Sequence, residues 1–143
     1  MASIFGDIQG IKWLTEANGE PGQALVEIAF TLPAYTASSD TGQLGGTGTK
    51  RNGVAVATGT TLEQILAADR RDGKTVTLSA ISTAVAVLRE CGKQGSTSFY
   101  LKSPTVSSNN LTFEPANSSG TEIDAASGIT DRPMSIVVGV ALS

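Results

Sequence analysis

The feature that most constrains this chain is a strict apolar alternation across residues 23–32. Ala24, Val26, Ile28, Phe30 and Leu32 share one parity. Gln23, Glu27 and Thr31 share the other, with Leu25 and Ala29 among them. A period of two is the side-chain period of an extended strand with one buried face. Such a strand cannot stand alone. Its N–H and C=O groups need neighbours, and its apolar face needs a covering layer. Pro33 follows at once and has no amide to give to a central ladder.

The rest of the chain supplies matching pieces. Residues 134–142 close it with a second strong strand, centred on 136–140. Asn52-Gly53 is a turn signal that leads into a short strand at 54–57. Phe99 and Leu101 stand opposite Tyr100 in a strand over 97–102 that Pro104 should end. Leu111 and Phe113 mark another short strand before Pro115. Over 75–90, Val76, Leu78 and Ala80 alternate with Thr75, Thr77 and Ser79, and a second phase runs through Val85 and Val87. Two strands, or one strand bulged near Ser82, fit this pattern, and a helix across 80–89 is the competing reading. Thr60 as N-cap, with Glu63 completing a capping box, starts the one clear helix. Leu62, Ile65, Leu66 and Asp69 share its face, Arg70 and Arg71 lie in its last turn, and Gly73 ends it.

Three stretches lack periodicity: residues 1–22, an N-terminal arm or short edge strand followed by a turn, in which Gly6 and Gly10 break any helix, and long loops over 38–53 and 116–130. Short strands between Gly and Pro turns favour layered sheets over alternating α/β units. The expectation is a mainly β fold: a single-domain antiparallel β-sandwich, jelly-roll-like, spanning residues 1–143, with one short helix around residues 61–71.

Composition argues against most chemistry. The chain has 143 residues, no His, one Cys and a net charge of -3. Without His the commonest base, the triads built on it and most transition-metal sites are missing. Cys91 is then read as a small buried side chain rather than a nucleophile or cross-link. The thirteen acids are scattered. Glu122 and Asp124 make at most half of an oxygen-ligand site, with no calcium-loop pattern around them. The glycines of residues 42–50 miss the phosphate-loop spacing, because Lys50 follows Thr49 and precedes Arg51. No catalytic residue, cofactor or metal is expected, and the chain is read as a non-enzyme. A mild acidic excess argues against nucleic acid. No apolar run approaches a membrane span, and residues 1–10 lack the pattern of a secretory signal, so synthesis in a cytoplasm is expected.

Charged residues make up only 16% of the chain, against about a quarter in typical domains. A surface so poor in charge is cheap to desolvate against other protein. The chain thus reads as a structural protein that works through its surfaces. Partner contact is expected from the arm, which would order on binding through its apolar side chains Ile4, Phe5, Ile8 and Trp13, with the two long loops beside it. For Trp13 a core role is the equal alternative.

In general style the whole chain resembles the cement, or decoration, proteins of tailed-phage heads, especially those of short-tailed phages. The residues behind this are Met1-Ala2-Ser3-Ile4-Phe5-Gly6 at an uncleaved start, the alternating strand from Ala24, the Gly/Thr-rich residues 41–49 and the strand-like end over 135–143. The resemblance implies a jelly-roll-type sandwich that binds the outside of a virion shell as a homodimer or homotrimer. It implies the major capsid protein and further copies of itself as partners, and location on the capsid surface after synthesis in the host cytoplasm. A tail-tube or connector subunit is the structural alternative. A carbohydrate-binding module on a jelly-roll scaffold ranks below it, because aromatics are only 5% of the chain.

Overall fold

The computed structural model describes residues 3–15, 22–31, 41–78, 87–88, 93–94, 97–107, 110–117 and 133–143. The alternating segment is strand β3 (Gly22–Thr31), which follows β1 (Ser3–Phe5) and β2 (Asp7–Trp13). Its apolar parity is buried: Ala24, Val26, Ile28 and Phe30 are at most 3% exposed. Next come β4 (Thr41–Leu44), β5 (Lys50–Arg51), β6 (Val54–Ala55), helix α1 (Leu62–Arg70), β7 (Val76–Thr77), β8 (Val87–Leu88) and β9 (Lys93–Gln94). The last strands are β10 (Thr97–Ser107), β11 (Asn110–Asn117) and β12 (Pro133–Leu142). The long antiparallel pair β3–β12 is the spine. It sets Ile28 opposite Ile136, Val26 opposite Val138 and Ala24 opposite Val140. Each Ile and Val among them returns about 1.5–3 kcal/mol on full burial, so this ladder carries much of the core.

The strands form two sheets, ordered β1-β4-β11-β10-β9 and β6-β5-β2-β3-β12-β7, with β8 also on β12. The fold is mainly β, as expected, but its pairing is mixed rather than all antiparallel. β1 runs parallel to β4, and β2 parallel to β5. Both parallel pairs come from the same two stretches of chain, which travel side by side from one sheet into the other. Gly6 is the joint: its amide donates to the Gln43 carbonyl at 2.9 Å, and its carbonyl accepts from the Lys50 amide at 3.1 Å. The sheets are continuous through this corner and curl around one core. Leu44 and Leu111 enter that core from the first sheet, Ile8, Val26 and Phe30 from the second, and Leu62, Ile65 and Leu66 from the helix.

Several expectations are corrected here. Of the two readings of residues 1–22, the strand holds over Ser3–Phe5 and Asp7–Trp13 in place of a free arm, and residues 1–2 and 16–21 lie outside the described residues. Gly6 and Gly10 exclude a helix here, as expected, and Gly10 lies within β2 at a register shift between Ile8 and Gly10, where an extra residue is tolerated. The loop placed over 38–53 holds strands β4 and β5; turns lie between them and at Asn52-Gly53, and residues 38–40 lie outside the described residues. Pro104 does not end its strand, since a register shift between Lys102 and Thr105 absorbs it. Pro115 lies within β11 beyond Phe113, the last residue paired to β4, so it sits where the strand has lost one neighbour.

The helix is displaced by one residue at its start. Thr61, not Thr60, is the N-cap, and Gln64, not Glu63, completes the capping box. The Thr60 carbonyl is taken by the Gly46 amide at 2.8 Å, and Glu63 accepts from the Leu78 amide at 2.7 Å. The buried face of Leu62, Ile65 and Leu66 is as expected. Arg71 adopts the left-handed C-cap conformation, φ 61°. Of the region over 75–90, Val76–Thr77 and Val87–Leu88 are strands, and residues 79–86 lie outside the described residues, with the bulge or helix expected there. Cys91, Glu122, Asp124 and the loop over 118–130 lie outside them too.

Candidate interaction surface

The four residues expected to grip a partner occupy different environments. Ile4 is a strand position paired with Gly42. Phe5 is half-buried, and its ring lies so close to Gly48 that a Cβ there would overlap it. Ile8 is 0% exposed in the core. That corrects its assignment as a contact, because a side chain with no accessible surface cannot meet a partner without the sheet opening.

Trp13 is half-buried against the core and ties the helix to the sheet. Its Nε1–H donates to Asp69 Oδ2 at 3.2 Å, and the Arg70 guanidinium lies 4.4 Å from its ring centroid. Arg51 approaches the other oxygen of Asp69 at 3.8 Å and donates to the Ile8 carbonyl at 3.1 Å. A long, partly exposed ion pair adds little, and the stacked cation adds about 0.5–1 kcal/mol. The main effect is positional: Asp69, on the apolar face of α1, becomes the acceptor for the indole. Arg70 also donates to Asp72 Oδ2 from two nitrogens, at 3.1 and 2.8 Å. This bond, with that from the Lys74 amide, holds the Asp72 carboxyl below its usual range.

The turn between β4 and β5 is tied down rather than loose. The Gly45 amide donates to Thr49 Oγ1 at 2.9 Å, and Thr49 is itself buried. Asn110 Oδ1 accepts from the Leu62 amide at 2.9 Å and so fastens the helix start to β11. An open groove of ≈ 480 Å³ runs between α1 and the chain entering β7, past Gln64, Ala68 and Lys74. Its one acid, Glu63, already serves the Leu78 amide. Among the described residues there is no cluster of three or more metal-ligating side chains. No helix among them is long and apolar enough to cross a membrane.

Among the described residues, the most exposed large apolar side chains are Leu14 and Leu25, each 40% exposed, and Val54, at 69%. Val54 sits at the β5–β6 turn. Leu14 and Leu25 are neighbours across β2 and β3, since the Leu14 amide donates to the Leu25 carbonyl at 2.9 Å. They belong to the outer face of the sheet, on the parity opposite to Val26 and Ile28. Sequence reasoning passed over this face. The available signal was Leu25 and Ala29, two apolar residues on the otherwise polar parity of β3.

No protein-family model, no curated protein and no solved structure matches the chain.

Proposed function

We propose that this chain is a structural protein of a virion, a capsid decoration protein that binds the outer shell surface and bridges neighbouring capsomers. The supporting observation is a tightly bonded β body whose exposed apolar side chains, Leu14, Leu25 and Val54, are held on strands or a short turn. Rigid presentation lowers the ordering cost of binding, and a chain with 16% charged residues is cheap to desolvate. Val54 takes over the shell-contact role first given to the arm, and Leu14 and Leu25 offer a separate apolar patch for a further copy of the chain. The proposal includes the reading of the two curled sheets as facing layers of a sandwich, already distinct from an all-antiparallel jelly roll. It also includes the absence of a catalytic site, and the major capsid protein as partner. The test is electrophoresis and mass analysis of purified particles separated into heads and tails. The proposal expects many copies per head. A chain found in tails alone supports a tube or connector subunit instead, and a chain absent from particles refutes a virion role.

A further inference from the structure

We propose that the outer face of β2 and β3 is a self-association surface, on which a second copy of this chain packs face to face about a two-fold axis parallel to the strands.

The argument rests on the register. Gly10 stands opposite Ala29 and Lys12 opposite Glu27, and Leu14 extends the same pairing to Leu25 through its backbone bond. These three rows alternate with Ile11–Ile28 and Trp13–Val26, whose side chains are turned to the core. The outer rows therefore share one face, with one residue from β2 and one from β3 at equal height. A two-fold axis along the strands, midway between β2 and β3, exchanges the two members of every row. It sets Leu14 on the partner's Leu25, Lys12 on the partner's Glu27, and Gly10 on the partner's Ala29. Apolar meets apolar, cation meets anion, and the row of small side chains leaves room for close approach. An isologous contact demands that a patch be complementary to itself under rotation, and this patch is so in each row.

Stacked sheets cross at about 30° because each is twisted. The Lys12–Glu27 row is the middle one of the three, nearest the point about which the twisted sheets cross, and it keeps its partners despite the twist. Glu27 already interacts within its own chain, so association gives it an additional cation. On β12, the residue opposite Leu25 is Gly139, which adds no side chain to shield the leucine. Exposed leucines singly are ordinary. Two adjacent ones beside a self-complementary charge pair commit the face to a partner of its own kind.

This inference specifies the self-association part of the decoration reading and does not depend on any particle. It is tested on the purified full-length chain by sedimentation across a wide concentration range, with circular dichroism confirming that each variant is folded. The wild type is expected to form a dimer. Lys12→Glu and Glu27→Lys, each placing like charges across the axis twice per dimer, are expected to raise the dissociation constant about tenfold or more. The double charge swap should return it towards the wild-type value. Leu25→Ser should abolish the dimer. A wild type that is monomeric at every concentration, or a trimer, overturns the proposal. So does a dimer indifferent to Lys12→Glu and Leu25→Ser. In either case the capsid reading stands or falls separately on the particle analysis.

Discussion

Gly45→Ala should be among the most damaging single-methyl changes in this protein. Gly45 adopts φ +99°, and a Cβ built there would overlap Asn110 Oδ1 and stand 2.6 Å from the Leu62 backbone nitrogen. Those two atoms form the buried bond that starts the helix, at 2.9 Å. A left-handed backbone costs a non-glycine residue about 1–2 kcal/mol. Overpacking against backbone adds about 1–3 kcal/mol, and losing a buried hydrogen bond about 1–3 kcal/mol. These effects share one site and do not add fully. The unfolded chain also loses entropy on gaining a methyl, which returns about 0.4–1 kcal/mol. The expected loss is about 3–5 kcal/mol, a large part of the 5–15 kcal/mol that holds a typical domain together. Gly53→Ala is the control. Gly53 also has positive φ, +81°, but nothing lies within 4 Å of its Cβ position. It should cost about 1 kcal/mol or less after the same entropy correction. Urea unfolding of both variants measures the difference directly. Thermal unfolding should show a fall of about 10 °C or more for Gly45→Ala and under about 5 °C for Gly53→Ala. Equal losses at the two sites would refute the steric reasoning and leave only backbone conformation.

Ile8→Ala should destabilise by about 2–5 kcal/mol, as a fully buried side chain does when truncated, and deleting residues 1–10 should abolish folding rather than merely weaken a grip. Circular dichroism decides this, and a folded truncated chain contradicts the strand assignment of β1 and β2. Thr61→Ala should cost about 1 kcal/mol through loss of the N-cap, while Thr60→Ala costs under about 0.5 kcal/mol. A reversed order in urea unfolding returns the helix start to Thr60. The Asp72 carboxyl, held below its usual range by Arg70 and the Lys74 amide, contributes stability that is fully present above the unfolded pKa and is lost as pH falls through the lower folded value. A carboxyl-carbon NMR titration should find that folded value below the ordinary aspartate range, and a value within or above that range removes the Arg70 bond from solution.

What could be read in the residues was local. β3 and β12 are visible because alternating Val, Ile and Phe residues leave no other period. The helix is visible through Leu62, Ile65 and Leu66, yet its start is ambiguous: Thr60 with Glu63 and Thr61 with Gln64 offer the same capping chemistry one residue apart. Distant groups decide between them, since Gly46 takes the Thr60 carbonyl and Leu78 engages Glu63. The parallel pairings were illegible for a related reason. Residues 3–8 find their partners some 40 positions away in β4 and β5, and nothing in either segment announces the other. Pro104 and Pro115 look like stops because a single strand would stop there, whereas Gly6 and Gly10 exclude only a helix. Within a sheet, a corner, a register shift or a lost neighbour lets the chain continue. The same locality hid which apolar side chains are exposed. Ile8 looked like an anchor in a polar stretch, while Leu25, hidden in the best strand, faces solvent.

The central claim, attachment to the outside of a capsid, is tested most directly by adding back purified protein to heads stripped of it and counting bound copies by quantitative mass analysis. The account predicts saturable binding at a fixed number of copies per shell, weakened when Val54 is replaced by Ser. Absent or non-saturable binding by the folded wild-type chain would contradict it.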